Sequence, residues 1–180
     1  MVCAMTRDEA LTTFDAAPAV EPEFMIGTWR GRELPTGHPL DGLLALSGWW
    51  GKQFDNTETV HPLLFPTRDG AALWALDPRL VPVGAVLRVP FLPRRPLPGL
   101  VSALRPLAGT RTPKARLRIT RYRGVDSATM VYDHLPVNDV FRELPRAQDG
   151  ADRVIGAMDM RGCAQPYFFV LQRDNSLRLR

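Results

Sequence analysis

The chain has 180 residues, 45% apolar and 23% charged, the balance of one ordinary globular domain that buries about 70% of its unfolded surface. No apolar run approaches the ~18 residues that mark a membrane span, and residues 1–9 lack the basic-then-apolar pattern of a leader. The net charge of +4 is unevenly spread, with 7 Lys/Arg against 11 Asp/Glu in residues 1–90 and 16 against 8 in residues 91–180.

In chain order, Thr6 followed by Glu9 and the apolar pair Leu11 and Phe14 predicts a capped helix ended by Pro18 and Pro22. A strand is expected at about 24–33, carrying Gly27-Thr28-Trp29-Arg30-Gly31. Glycine weakens a strand, so two of them around one indole mark a kink or the close approach of another group. A Pro/Gly turn over 35–39 leads to a short helix at 41–47, stopped by Gly48. Trp49 to Phe54, 60–65 and 71–76 read as strands, the last two joined by the turn Thr67-Arg68-Asp69-Gly70.

Eight of the 17 prolines fall between Pro78 and Pro113, which rules out regular central sheet there. An edge strand at 83–91 and a helix at 97–107 fit the remaining pattern. Beyond Lys114 a meander is predicted, with strands at 114–123, 126–134, 138–144, 154–160 and 167–173. The basic residues of Lys114-Ala115-Arg116-Leu117-Arg118-Ile119 alternate with apolar ones, as in a sheet with one wet face. That pattern argues against a nucleic-acid partner. The economical architecture is mainly β: a single antiparallel lipocalin-like β-barrel of about 8–10 strands with a few short helices. Its parts are an N-terminal helix and linker (1–22), a first half (23–92), a Pro-rich crossover (93–113) and a second half (114–180). Only Cys3 and Cys163 are present, so a cytoplasmic, reducing setting is expected.

The strings GTWRGRELPTGHPLDG, GWWGKQFD and VHPLLF, followed by KARLRITRYRG, SATMVYDHLPVNDVFREL, VIGAMD and YFFVLQR, resemble the GXWXG domain family and the C-terminal domain of unknown function that accompanies it. The resemblance spans roughly residues 24–173 and implies an intracellular bacterial or fungal protein without a settled activity. The short GxWxG string also resembles the first strand of lipocalins and of haem-binding nitrobindins. In lipocalins that tryptophan closes one barrel end beneath an arginine of the last strand, which here implies a structural pairing of Trp29, between Gly27 and Gly31, with Arg173.

Strand parity separates inside from outside. Ala128, Met130, Tyr132 and His134 share one face, as do Ala115, Leu117 and Ile119, so an apolar interior with His134 at its end is expected. His38, His61 and His134 each adjoin a motif, and histidine serves both as proton shuttle and metal ligand. No spacing among them suggests a zinc site. Asp133, Asp139 and Asp159 fall on neighbouring strands, where a buried carboxylate can act as general acid or base and an exposed one satisfies turns or pairs with Arg116, Arg118 or Arg142. Lys52 reads either as a solvated lysine or as a partly buried one holding a carboxylate or forming a Schiff base.

The functional expectation is an intracellular barrel binding a small, largely apolar metabolite. Its contacts would come from His38, Lys52, His61, Met130, Tyr132, Asp133, His134 and Asp159, without a metal. The alternatives are an isomerase, cyclase or hydrolase using His38 with Asp133 or Asp139, and a haem protein through His134. A homodimer is compatible with either. The absence of a P-loop, a dinucleotide fingerprint, a G-x-S-x-G elbow and an H-E-x-x-H helix weighs against the chemistry those motifs support.

Overall fold

A computed structural model describes residues 5–81 and 98–180. Helix α1 (Arg7–Ala16) begins at a capping box, in which Glu9 N donates to Thr6 Oγ1 while Thr6 N donates to Glu9 Oε2. Two further short helices among the described residues are α2 (Leu43–Ser47) and α3 (Pro98–Ala108). The strands are β1 (Gly27–Glu33), β2 (Gly51–Phe54), β3 (Val60–Pro66), β4 (Leu73–Leu76) and β5 (Gly109–Thr110) in the first part of the sheet. The meander supplies β6 (Ala115–Tyr122), β7 (Val125–Tyr132), β8 (Val137–Leu144), β9 (Arg153–Met160) and β10 (Tyr167–Arg173).

The ten strands of the described residues join one antiparallel sheet in the order β2-β1-β10-β9-β8-β7-β6-β3-β4-β5. An additional pairing of β2 with β3 closes eight of them into a ring. The join of β3 to β6 is slender, a single register pair Val60↔Ala115. Beyond Ala115, β6 and β7 continue as a hairpin, turning at Arg123 and Gly124 with φ of 50° and 82°. That explains a departure from the parity expectation: Ala115 and Leu117 are buried but Ile119 is 52% exposed, because no β3 residue covers the far end of the hairpin.

Other boundaries also shift. Phe24 and Met25 belong to a 3-10 turn over Pro22–Met25 rather than to a strand, and β1 starts at Gly27. The proline at the head of that turn presets its φ, which favours a helical turn over extension. The helix expected at 97–107 is α3, and the strand expected at 83–91 lies outside the described residues.

Alternation along the strands builds two apolar layers. Trp29, Phe54, Met130, Phe141, Phe169 and Leu171 point into the ring and are buried. On the outer face, Val140, Ile155, Ala157 and Phe168 pack beneath Ala10 and Phe14 of α1. Arg142 lies in that outer layer, 1% exposed, its guanidinium over the Phe14 ring and donating to the carbonyls of Phe141, Tyr122 and Val125.

Gly31 of the GTWRG string and Gly51 on the neighbouring strand are required by close approach. A Cβ at Gly31 would overlap the Trp49 ring, so this gap in β1 is where that indole lies. Across the β1–β2 pair, Gly51 has φ of 154° and presses against the backbone of Trp29. Trp29 itself is fully buried and donates from Nε1 to Met25 O at 2.7 Å. It is the register partner of Arg173, whose guanidinium centre lies 4.3 Å from its ring. Arg173 also donates to the carbonyls of Ile26 and Phe24 at 2.6 Å and pairs with Asp152 at 3.0 Å. First and last strands are thereby tied together by one side chain.

Candidate functional site

Lys52 stands on β2 with the parity of Phe54, and Asp139 stands on β8 with the parity of Val137 and Phe141. Both therefore project into the ring from opposite walls. Their side chains are 3% and 1% exposed, and Lys52 Nζ lies 2.8 Å from Asp139 Oδ2. The contact is short in distance but poorly aligned as a hydrogen bond, so both Asp139 oxygens lack a well-directed donor. Lys52 donates otherwise to Pro62 O at a long 3.3 Å. Three aromatic faces surround the ammonium, with ring centroids of Phe169, Trp49 and Tyr132 at 5.1, 5.4 and 5.8 Å.

Burial pushes the Asp139 carboxyl above its ordinary range, with the nearby Lys52 charge opposing the shift. The Tyr132 phenol is also pushed up, by burial first and by the Asp139 charge second. Taking two ions out of water costs several kcal/mol each unless they meet in good geometry with added hydrogen bonds. A buried pair whose carboxylate lacks directed donors therefore stands out from ordinary structural ion pairs.

The pair forms the polar end of a narrow apolar cavity with about 80 Å³ of accessible space. The remaining walls are aliphatic and aromatic: Leu40, Leu43 and Leu44 from the loop and α2, Trp49, Leu63, Val81, Leu135, Val137, Met158, Tyr167 and Phe169. An aromatic-aliphatic lining with few converging polar groups is the usual character of a small-molecule pocket.

Of the residues singled out from sequence, Lys52, Tyr132 and Asp139 come together here. Met130 is buried in the packed interior but does not line the cavity. His38 is buried in the loop after β1, where its Nδ1 accepts from Leu40 N and its Nε2 lies 3.3 Å from Cys163 Sγ. Desolvation lowers its pKa, the Asp41 charge opposing. His38 is thus joined to neither Asp133 nor Asp139, and the lysine takes the place expected for a histidine beside the acid. His61 is buried opposite Gln53, 3.8 Å from Asp55, with its pKa also lowered by burial.

Three further residues lie away from the cavity. Asp133 is exposed and pairs with Arg116 at 3.4 Å. His134 is exposed in the turn after β7, which ends at Tyr132, so it does not cap the interior as parity suggested. The haem reading loses its axial ligand from the cavity wall. Asp159 follows the outward parity of Ile155 and Ala157 and borders an outer surface depression with Asn138. Among the described residues, no group of three His, Cys, Asp or Glu side chains is placed to hold a metal ion.

Sequence reasoning missed Trp49, Tyr167, Phe169, Val137 and Met158 as cavity residues. Extending the parity argument from β6 and β7 to β8 and β10 would have found most of them. Tyr167 also anchors a loop. Its hydroxyl donates to Glu33 Oε2 at 2.8 Å, and Glu33 in turn accepts from Gly42 N. These bonds seat the 34–42 loop, whose Leu40 forms part of the cavity.

Residues 12–70 match the GXWXG protein family, and residues 113–173 match a domain of unknown function (DUF4334). No curated protein matches the chain. The fold is similar to the crystal structure of a protein from Thermomonospora curvata, with a TM-score of 0.66 and 30% identity over 94% of this chain and 88% of that one. Among the described residues no helix is long and apolar enough to cross a membrane.

Proposed function

The chain belongs to the GXWXG protein family, and from its site we propose that it binds a small, largely apolar molecule inside a lipocalin-like barrel formed by the eight-strand ring. The ligand's hydrocarbon part packs on Leu44, Trp49, Met158 and Phe169, and its polar atom meets Lys52 and Asp139. One observation carries this reading: a desolvated ion pair with unsatisfied carboxylate oxygens stands at the end of an otherwise apolar cavity. A ligand acceptor arriving there completes a hydrogen bond that the Lys52 ammonium leaves unmade, a ligand donor completes one to Asp139, and an unmade bond costs about 1–3 kcal/mol per buried group. The protein works in the cytoplasm, consistent with a chain that carries no disulfide pattern.

The test is a titration with short aliphatic and alicyclic compounds, followed through the indole N–H resonance of Trp49. Met158→Trp fills the cavity and abolishes binding while the protein stays folded. Undiminished affinity in a folded Met158→Trp protein refutes the cavity placement.

A further inference from the structure

We propose that Lys52 and Asp139 form a carbonyl-activating acid–base couple: Asp139 removes a proton from the carbon α to the carbonyl of a small apolar ketone or enone, while the Lys52 ammonium hydrogen-bonds the carbonyl oxygen. The proposal rests on the ligand reading above and adds a reaction to it.

Charge balance selects the substrate class. The pair is neutral as a whole, so a neutral ligand leaves the cavity balanced. A ligand carboxylate would compete with Asp139 for Lys52 and place a second negative charge in an apolar enclosure, at a cost of several kcal/mol. A ketone supplies an acceptor for an ammonium N–H and adds no charge. Lysine has three N–H donors; none is well aligned on Asp139 and one goes weakly to Pro62 O, which leaves donors for the ligand.

The carboxylate is equipped differently from its structural neighbours. Asp41 Oδ2 accepts from the backbone N–H groups of Thr36, Gly37 and His38, and Glu33 accepts from Gly42 N and Tyr167 Oη. Asp139 has no comparable donors, so its lone pairs are available to a proton on carbon. Its desolvated setting raises its basicity, as general-base catalysis near neutral pH requires. The ammonium, held among three ring faces, is already in place where negative charge develops.

The step balances without a co-reactant. The α C–H bond breaks and an O–H bond to Asp139 forms. The C–H electron pair becomes the new C=C bond, and the carbonyl π pair moves onto the oxygen facing Lys52. Return of the same proton to the γ carbon of a β,γ-unsaturated ketone yields the conjugated isomer and restores Asp139, with Lys52 protonated throughout.

The assay uses 3-cyclohexen-1-one, whose conjugation is followed by ultraviolet absorbance, with cyclohexanone in deuterium oxide as a probe of α-proton exchange. The native protein accelerates both, and Asp139→Asn lowers the rate by about 10²-fold or more while cyclohexanone still shifts the Trp49 indole resonance. Because Asp139→Asn leaves Lys52 unpaired, the double variant Lys52→Met/Asp139→Leu provides a neutral interior; it retains cyclohexane binding and loses isomerisation. Native protein that binds cyclohexanone but neither isomerises the enone nor exchanges α protons overturns the proposal and leaves the binding reading standing. Native protein that binds cyclohexane but not cyclohexanone overturns it as well, and protein that binds neither removes both readings.

Discussion

Replacing Lys52 by Met strands Asp139 at 1% exposure with no counter-ion. At 2.8 Å, with an effective dielectric constant of about 20, the attraction lost is about 6 kcal/mol. Part of this is offset because the lysine no longer has to be desolvated. Asp139 also has an escape: it can take up a proton. Relative to an unfolded carboxyl near its ordinary 3.8, holding it neutral at pH 7 costs at most about 4 kcal/mol, at 1.36 kcal/mol per pH unit. The expected loss for Lys52→Met at pH 7 is therefore about 3–4 kcal/mol, in line with broken buried pairs.

The sign of the pH dependence follows from the same carboxyl. Its folded pKa is raised, so its contribution is present below the unfolded value and is lost as pH rises through the folded one. Lys52 holds that pKa down in the native protein, so its removal raises it further. The deficit of Lys52→Met relative to the native protein is smallest at low pH, where Asp139 is protonated in both, and grows by up to about 1.4 kcal/mol per unit as pH rises through the native folded value. Urea unfolding of both proteins from pH 4 to 8 measures it. The double variant Lys52→Met/Asp139→Leu recovers most of the loss, since apolar replacements of buried pairs are neutral or stabilising. A Lys52→Met protein within about 1 kcal/mol of native at pH 7, with no pH-dependent difference, would refute the desolvated pair and the site built on it.

Other outcomes follow from the frame. Trp29→Ala costs about 3–5 kcal/mol, and Arg173→Ala about 2–3 kcal/mol through its charged hydrogen bonds to the Phe24 and Ile26 carbonyls; denaturant midpoints check both, and a neutral Arg173→Ala would show that the first and last strands hold without it. Gly31→Ala forces the Trp49 ring aside and costs about 1–3 kcal/mol, visible also as a moved Trp49 indole resonance; an unmoved resonance counts against the packing described. His38 and His61 have pKa values lowered by burial, so above about pH 6.5 they are neutral folded or unfolded, and stability falls as pH drops through that value. His61→Asn flattens that slope in unfolding measured between pH 7 and 5, and an unchanged slope would mean that His61 is hydrated in the folded protein.

The sequence by itself determined much of the secondary structure, because its signals are local. The Thr6–Glu9 capping box, the Asp69-Gly70 turn and the alternation along 115–132 depend on residues within a few positions of one another. The glycines around Trp29 likewise announced a close approach, although not that Trp49 would fill the gap at Gly31. The tertiary structure decided where alternation stops meaning burial: Ile119 continues the inward parity of Leu117 yet is exposed, because β3 covers β6 only at Ala115. It also decided the chemistry. Lys52 and Asp139 are 87 positions apart, and neither neighbourhood states that the other will face it. A charged residue within a strand reads as solvated until the ring closes through the β2–β3 and β3–β6 pairings, the two joins that no local pattern encodes. The same closure leaves His134, one turn beyond the end of β7, in water. Burial is a property of the assembled sheet, and here burial made an ordinary lysine and an ordinary aspartate into a candidate site.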